Sequence, residues 1–407
     1  MKNPALLIAT MCAAEVLSML GISSFAALLP VFAEEWALSN TNAGLIGGLY
    51  FAGYVVAVPV LSSLTDRIDV RIVYFGGMTT TGLALLGFAL TAEGFWSAAA
   101  WQVLAGAGLA GTYMPGLKAL GDRFGGRDQS RAVAFYTGSF AIGMSLSYLV
   151  AGEVARAFDW RMAFGIAALG SLAAMAIAGF ALAGHRTTKL PAPDTHLLDF
   201  RPVFANRAAM GYVFGYAAHI WELFGLRAWL VAFLVFGASL DVGSQSWLKP
   251  TLVATIFMLI GAPASVLGNE LCLRFGRRRM ISAIMLTSAG LSCVIGFLGT
   301  IDYGVLAVIC LAYGALLMAD SASLTAGMVE SAAPAYRGAT MAVHSTLGFV
   351  GAAAAPPVFG LVLDFAGGRA EPNAWGFAFI SLGVVAALGP IALAMGARRI
   401  GGNTTSR

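Results

Sequence analysis

Charge is what this sequence has least of. Only 11% of its 407 residues are Asp, Glu, Lys or Arg, while 59% are hydrophobic. Soluble domains carry roughly 25% charged residues, so this much apolar surface requires lipid as its solvent. Cysteine and histidine are scarce too, at four each. Cys12, Cys272, Cys293 and Cys310 lie far apart, in or at the ends of apolar runs, with no CxxC pair and no ligand set nearby. That pattern excludes a disulfide framework and a zinc site and leaves them as small core hydrophobes; neither metal nor cofactor is implied. The net charge of +4 is spread through short loops and not gathered in a stripe or tail, which excludes a nucleic-acid partner. A cleavable leader is not expected either. Lys2 precedes an apolar stretch over 5–31, too long for a signal core and long enough to span.

What the chain has in abundance is long apolar runs, together with 50 glycines and eight tryptophans. Gly lets helices approach closely in a bilayer, and Trp sits at its interfaces. A span needs about 20 apolar residues. Such runs occur near 5–31, 43–64, 72–91, 95–119, 132–155 and 162–183, then near 208–237, 249–271, 280–300, 304–330, 339–362 and 375–396. They are predicted to be helices, because backbone groups in lipid must be satisfied within the segment, and the runs are too long and non-alternating for barrel strands. The expected fold is therefore an all-α membrane protein of twelve transmembrane helices.

Loop charges predict the orientation. With the N-terminus in the cytoplasm, nineteen of the 24 lysines and arginines fall on the cytoplasmic side. Arg156, Arg161, Lys249 and Arg369 fall outside, and Arg227 lies within a span. This asymmetry is the positive-inside pattern. It predicts a multi-pass protein of the cell inner (plasma) membrane with both termini in the cytoplasm.

A polar stretch, His185–Asn206, with Pro191, Pro193 and Pro202, divides the chain almost in half and reads as a cytoplasmic linker. Across it the chain repeats. Arg67 and Arg274 are 207 residues apart; Gly108 and Gly314, Arg131 and Arg337, and Ser139 and Ser345 are each 206 apart. WRMAF at Trp160 and WGFAF at Trp375 follow at 215. A near-constant offset implies two six-helix bundles, 1–184 and 207–407, joined by 185–206, as in transporters built from repeats.

The loop after the second run carries the most specific motif, Ser62-Ser63-Leu64-Thr65-Asp66-Arg67-Ile68-Asp69-Val70-Arg71. With twelve spans, a mid-chain linker and basic loops after spans two and eight, the whole chain resembles the major facilitator superfamily. Members carry Gly-x-x-x-Asp-Arg-x-Gly-Arg in that loop. Asp66, Arg67 and Arg71 match it, while Ser62 and Asp69 replace the glycines. The second copy keeps Arg274-Phe275-Gly276-Arg277-Arg278, with Leu273 where the acid would stand. The resemblance implies a cytoplasmic gate formed by Asp66, Arg67 and Arg71, with Arg274 and Arg277 in the second copy; the alternative is that these charges only hold topology. Span four departs from the family. Gly106 and Gly108 keep the Gly-x-Gly spacing, but Gln102 stands where an arginine is usual. The resemblance further implies two pseudo-symmetric six-helix bundles whose spans one, four, seven and ten line a central cavity.

Ionisable residues deep in a span are costly and mark a pathway or a partner. Span one has Glu15, span seven His219, Glu222 and Arg227, and span ten Asp320. Glu15 and Asp320 each stand three residues from the middle of their runs, about 4.5 Å along a helix. His219, Glu222, Tyr212 and Tyr216 share a face, whereas Arg227, five residues from Glu222, lies about 140° round. Arg227 therefore finds an acid on another helix, Glu15 or Asp320, or an anionic group on a substrate. The alternative is a purely structural ion pair. Three acids against one arginine leave at least one carboxylate to be protonated, with His219 as a relay. Gln102, Tyr113 and Tyr216 could add hydrogen bonds to a solute.

These features predict secondary active transport of a small organic solute, coupled to protons, by a monomer in the lipid bilayer using alternating access. Import of an anion or zwitterion would use Arg227. Export of a cationic or lipophilic compound would use Glu15, Glu222 or Asp320. A membrane-embedded enzyme would need a nucleophile or metal cluster that His219 and Glu222 do not supply.

Overall fold

A computed structural model of the chain describes residues 4–397 apart from 66, 122, 125, 184–199 and 242–247. Asp66 and most of the expected linker lie outside the described residues. The described chain is helical throughout, without strands. The helices are α1 (Pro4–Ser18), α2 (Ser24–Glu35), α3 (Asn40–Leu64), α4 (Val70–Thr91), α5 (Phe95–Gly121), α6 (Gly126–Ala157), α7 (Trp160–Leu182) and the short α8 (Arg201–Ala205). They continue with α9 (Arg207–Leu240), α10 (Pro250–Phe275), α11 (Arg277–Ile295), α12 (Tyr303–Met318), α13 (Ser321–Ser331), α14 (Arg337–Phe365), α15 (Pro372–Ala386) and α16 (Leu388–Ala397).

Among the described residues, ten helical stretches are long and apolar enough to cross a membrane. Two further runs complete the expected twelve. One is α5, 27 residues long, in which Gln102 and several glycines dilute the hydropathy. The other is the first run. Expected as one helix over 5–31, it is broken between Ser18 and Ser24 into α1 and α2. The tenth run breaks likewise, at Ala319 and Asp320, and the twelfth at Ala387.

The chain divides into two compact units. One comprises residues 1–194 with 230–232 and 248–259; the other comprises 195–229, 233–247 and 260–407. In the first unit α5 packs tightly against both α3 and α4 through glycine. A Cβ on Gly106 would run into the backbone carbonyl of Tyr50, and one on Gly108 into Thr81 of α4. Gly77 of α4 faces Gly111 of α5 in the same way. Small residues let helix backbones meet where lipid offers no hydrophobic driving force between them. The Gly-x-Gly spacing of span four is thus a double packing surface.

Each unit also has an aromatic core nucleated by a tryptophan of the WRMAF/WGFAF repeat. Trp160, at the first position of α7, meets Phe32 at 5.2 Å between ring centroids, and Phe88 stacks on Phe164 at 4.0 Å. Its indole donates to Glu35 at 2.7 Å. In the second unit Trp375 meets Phe233 at 5.3 Å and Phe236 at 5.7 Å, and its indole donates to the carbonyl of Arg369 at 3.0 Å. Buried Trp needs such a partner for its N–H, which is how the repeated residue keeps one role in both halves.

The helix breaks are held by serines from other helices. In span one, the Ser23 N–H donates to Ser147 Oγ at 2.9 Å, and Ser147 Oγ donates to the Leu20 carbonyl at 2.7 Å. One hydroxyl of α6 thereby bridges the two sides of the turn, the Ser24 hydroxyl also donates to the Leu20 carbonyl at 3.2 Å, and backbone groups met in this way allow unwinding at membrane depth. In span ten, the Ala322 N–H donates to Ser265 Oγ of α10 at 3.1 Å, and Ser323 donates to Asn269 at 2.8 Å. A Cβ on Gly268 of α10 would collide with the Ala319 carbonyl, so the absence of a side chain there admits the break.

Candidate functional site

In the first unit Glu15 of α1 is fully buried, and so is Tyr136 of α6. The Tyr136 hydroxyl donates to Glu15 Oε2 at 2.5 Å, while Oε1 has no hydrogen-bond partner among the described residues. Gly116 of α5 makes this contact fit, since a Cβ there would strike the Tyr136 hydroxyl and the Tyr74 ring. Tyr113, also on α5, stacks over Tyr136 with ring centroids 6.3 Å apart. Gln102 is buried on the same helix, eleven residues and about 16 Å along the axis from Tyr113, so the two do not serve one spot.

In the second unit Glu222 of α9 is buried and accepts two hydroxyls on Oε1, from Ser288 of α11 at 2.8 Å and from Tyr313 of α12 at 2.7 Å. One turn earlier on α9, His219 Nδ1 lies 2.8 Å from Oδ1 of Asp320, with side chains 1% and 3% exposed. Asp320 is the residue at the break in span ten, N-terminal to α13, and makes no side-chain capping bond to that helix. The Tyr216 ring stacks on His344 of α14 at 3.9 Å, and the His344 Nε2 lies 3.4 Å from the Thr325 hydroxyl. Arg227, half-buried, places its guanidinium 4.9 Å from the Phe224 ring centroid and 3.9 Å from Met318 Sδ, at the end of α12 beside the same break. His219, Glu222, Arg227 and Asp320 are therefore gathered where span seven passes the interruption of span ten.

The acid partners were not all foreseen. Asp320, one of the groups open to Arg227 on the sequence, lies 2.8 Å from His219. Tyr136, Tyr313 and Ser288 were missed, because a lone hydroxyl in an apolar run reads as packing. His344, the stacking partner of Tyr216, likewise carries no signal in the sequence.

The expected gate residues have contacts of their own. Arg71 pairs with Asp69 at 2.5 Å and donates to the Leu182 carbonyl at 3.3 Å. Arg123 donates to the carbonyls of Ala181 and Leu182 at 3.2 and 3.1 Å. Two guanidiniums thus cap the C-terminus of α7, where unsatisfied carbonyls and the helix dipole favour cations. Arg277 pairs with Glu330 at 2.6 Å. Arg67 and Arg274 are exposed.

Repeated helical bundles of membrane-crossing length, with interrupted helices meeting buried acids, define a multi-pass membrane transporter. The chain belongs to the Major Facilitator Superfamily, whose family model matches residues 11–248 and 238–401. It is similar to protein spinster homolog 1 of Homo sapiens, 26% identical over 325 residues that cover 75% of this chain and 60% of that one. The chain thus spans about 60% of the length of that relative. An uncharacterized MFS-type transporter of Bacillus subtilis, YfnC, is 34% identical over 141 residues, covering 33% of this chain and 32% of that one. Among solved structures, a bacterial homolog of the human lysosomal transporter Spinster, inward-facing and occupied, superposes with a TM-score of 0.73 at 14% identity, covering 97% and 96% of the two chains. The nucleoside transporter NupG does so with 0.75 at 16% identity, covering 96% and 99%. At such identities the structures establish the fold alone. The chain is thus a multi-pass membrane protein of a transporter family and not an enzyme.

Proposed function

We propose that the chain is a proton-coupled secondary active transporter of a small organic solute. It works by alternating access, as a monomer, in a cell inner (plasma) membrane with both termini in the cytoplasm. The observation that carries proton coupling is the pair Glu15 and Glu222. Both are buried, and among the described residues both are met only by hydroxyls and by no cation. A charged carboxylate in such a place is costly, and binding a proton removes the cost. The charge asymmetry of the loops supports the orientation.

Import of an anion or zwitterion is the favoured direction, because Arg227 lies against Phe224 and Met318 beside the broken span ten. A planar guanidinium suits a carboxylate or phosphate. Export of a cationic or lipophilic compound, using the acids, is the second reading. Thermal-shift screening of the purified protein against a solute library identifies the solute. Uptake into proteoliposomes then tests coupling. An imposed pH gradient should drive accumulation in the wild type and fail to do so in Glu222→Gln. Uptake indifferent to the gradient in both removes the reading. Arg227→Ala should abolish anion transport and leave cation export largely intact.

A further inference from the structure

Glu15 and Glu222 are 207 residues apart, the same offset as Arg67 and Arg274. They occupy equivalent positions on the first helix of each repeat. Each is buried, and each takes a tyrosine hydroxyl at 2.5 or 2.7 Å. The tyrosines are not equivalent. Tyr136 comes from α6, the fifth span of its half, and Tyr313 from α12, the fourth span of its half. The position 206 residues after Tyr136 is Ala342, and the one 206 before Tyr313 is Ala107. The same chemistry is therefore rebuilt in each half from a different helix, which simple inheritance of packing through the repeat does not explain.

In both pairs the hydroxyls leave one carboxylate oxygen for a proton. Tyr136 occupies Oε2 of Glu15 and leaves Oε1, whereas Ser288 and Tyr313 converge on Oε1 of Glu222 and leave Oε2. The other titratable groups near Glu15 are Tyr74 of α4, Tyr50 of α3, Tyr113 of α5 and Cys12 of α1 itself. Near Glu222 they are Cys293 of α11 and the His219–Asp320 pair. No lysine or arginine forms an ion pair with either acid among the described residues.

We propose that Glu15 and Glu222 are two equivalent proton-binding sites, one per repeat, with Tyr136 and Tyr313 as their positioning residues. On the proton-coupled reading above, a full cycle then carries two protons. The step is a proton transfer only: a proton from water adds to the free carboxylate oxygen, and the tyrosine keeps its own proton and its bond to the other oxygen.

Infrared difference spectroscopy of the purified full-length protein across a pH titration tests this without a substrate. Two titrating carboxylic-acid carbonyl bands are expected to belong to these residues. Glu15→Gln should remove one and Glu222→Gln the other, with Asp320→Asn leaving both. Tyr136→Phe and Tyr313→Phe remove a single oxygen each and guard against a Gln variant that does not fold. Each should move only its own band to higher frequency, as a carbonyl released from a hydrogen bond does. A spectrum unchanged by either Gln variant, or a band that ignores its Phe variant, overturns the proposal. Failure of proton coupling itself shows differently: both bands persist while uptake into proteoliposomes ignores the pH gradient.

Discussion

The carboxylate of Asp320 lies 2.8 Å from the imidazole of His219 and does not cap the helix at whose start it stands. Ser265 of α10 satisfies the Ala322 N–H in its place. Asp is a preferred N-cap residue, so its diversion to span seven is a departure from local preference that tertiary contacts sustain. Span ten is thereby tied at its break to two other helices.

This tie gives the first prediction. His219→Ala strips a buried acid of its partner and should cost about 1–3 kcal/mol in unfolding free energy. In a double-mutant cycle with Asp320→Asn the two losses should be less than additive. Strict additivity, measured by chemical unfolding in detergent, would show that the two side chains do not interact.

Ser147 holds both sides of the break in span one. Ser147→Ala leaves the Ser23 N–H without its acceptor and the Leu20 carbonyl with the Ser24 hydroxyl alone, and should destabilise by about 1–3 kcal/mol. Hydrogen exchange at residues 20–24 should accelerate ahead of the rest of the helix. Unchanged exchange there would mean that another group satisfies the turn.

Gly106 and Gly76 should respond with opposite sign to the same substitution. Gly106→Ala drives a methyl into the Tyr50 carbonyl, which is backbone and cannot swing away. Such overpacking costs about 1–3 kcal/mol. Gly76, within α4, has nothing within 4 Å of an added Cβ. Gly76→Ala should stabilise by about 0.5–1 kcal/mol through helix propensity. Thermal melts of the two variants side by side decide this.

Arg71 and Arg123 share the carbonyl end of α7 through Leu182. Replacing both by Ala should loosen residues 178–183, seen as faster exchange, while either single change has a smaller effect because the other guanidinium remains. If the double variant exchanges no faster than wild type, the capping contacts contribute nothing measurable.

Much of the architecture was legible in the residues. The twelve apolar runs follow from counting, and so does the burial of Glu15, His219, Glu222 and Asp320 within them. The breaks did not. Residues 19–23 and 319–320 sit in runs that look unbroken, since nothing in the run itself reports that Ser147 or Ser265 will satisfy the freed backbone. The roles of Tyr136 and Tyr313 were hidden for the same reason: a helix apolar all round has no periodicity to say which face meets which neighbour.

Composition by itself determined the solvent. With so few charges the chain had to lie in lipid, and lipid obliges every segment to close its own hydrogen bonds as a helix. Tertiary structure alone decided which hydroxyl meets which acid. That choice depends on how helices far apart in the chain are rotated against one another, and glycine contacts such as Gly116 beside Tyr136 fix that rotation by admitting or excluding single atoms.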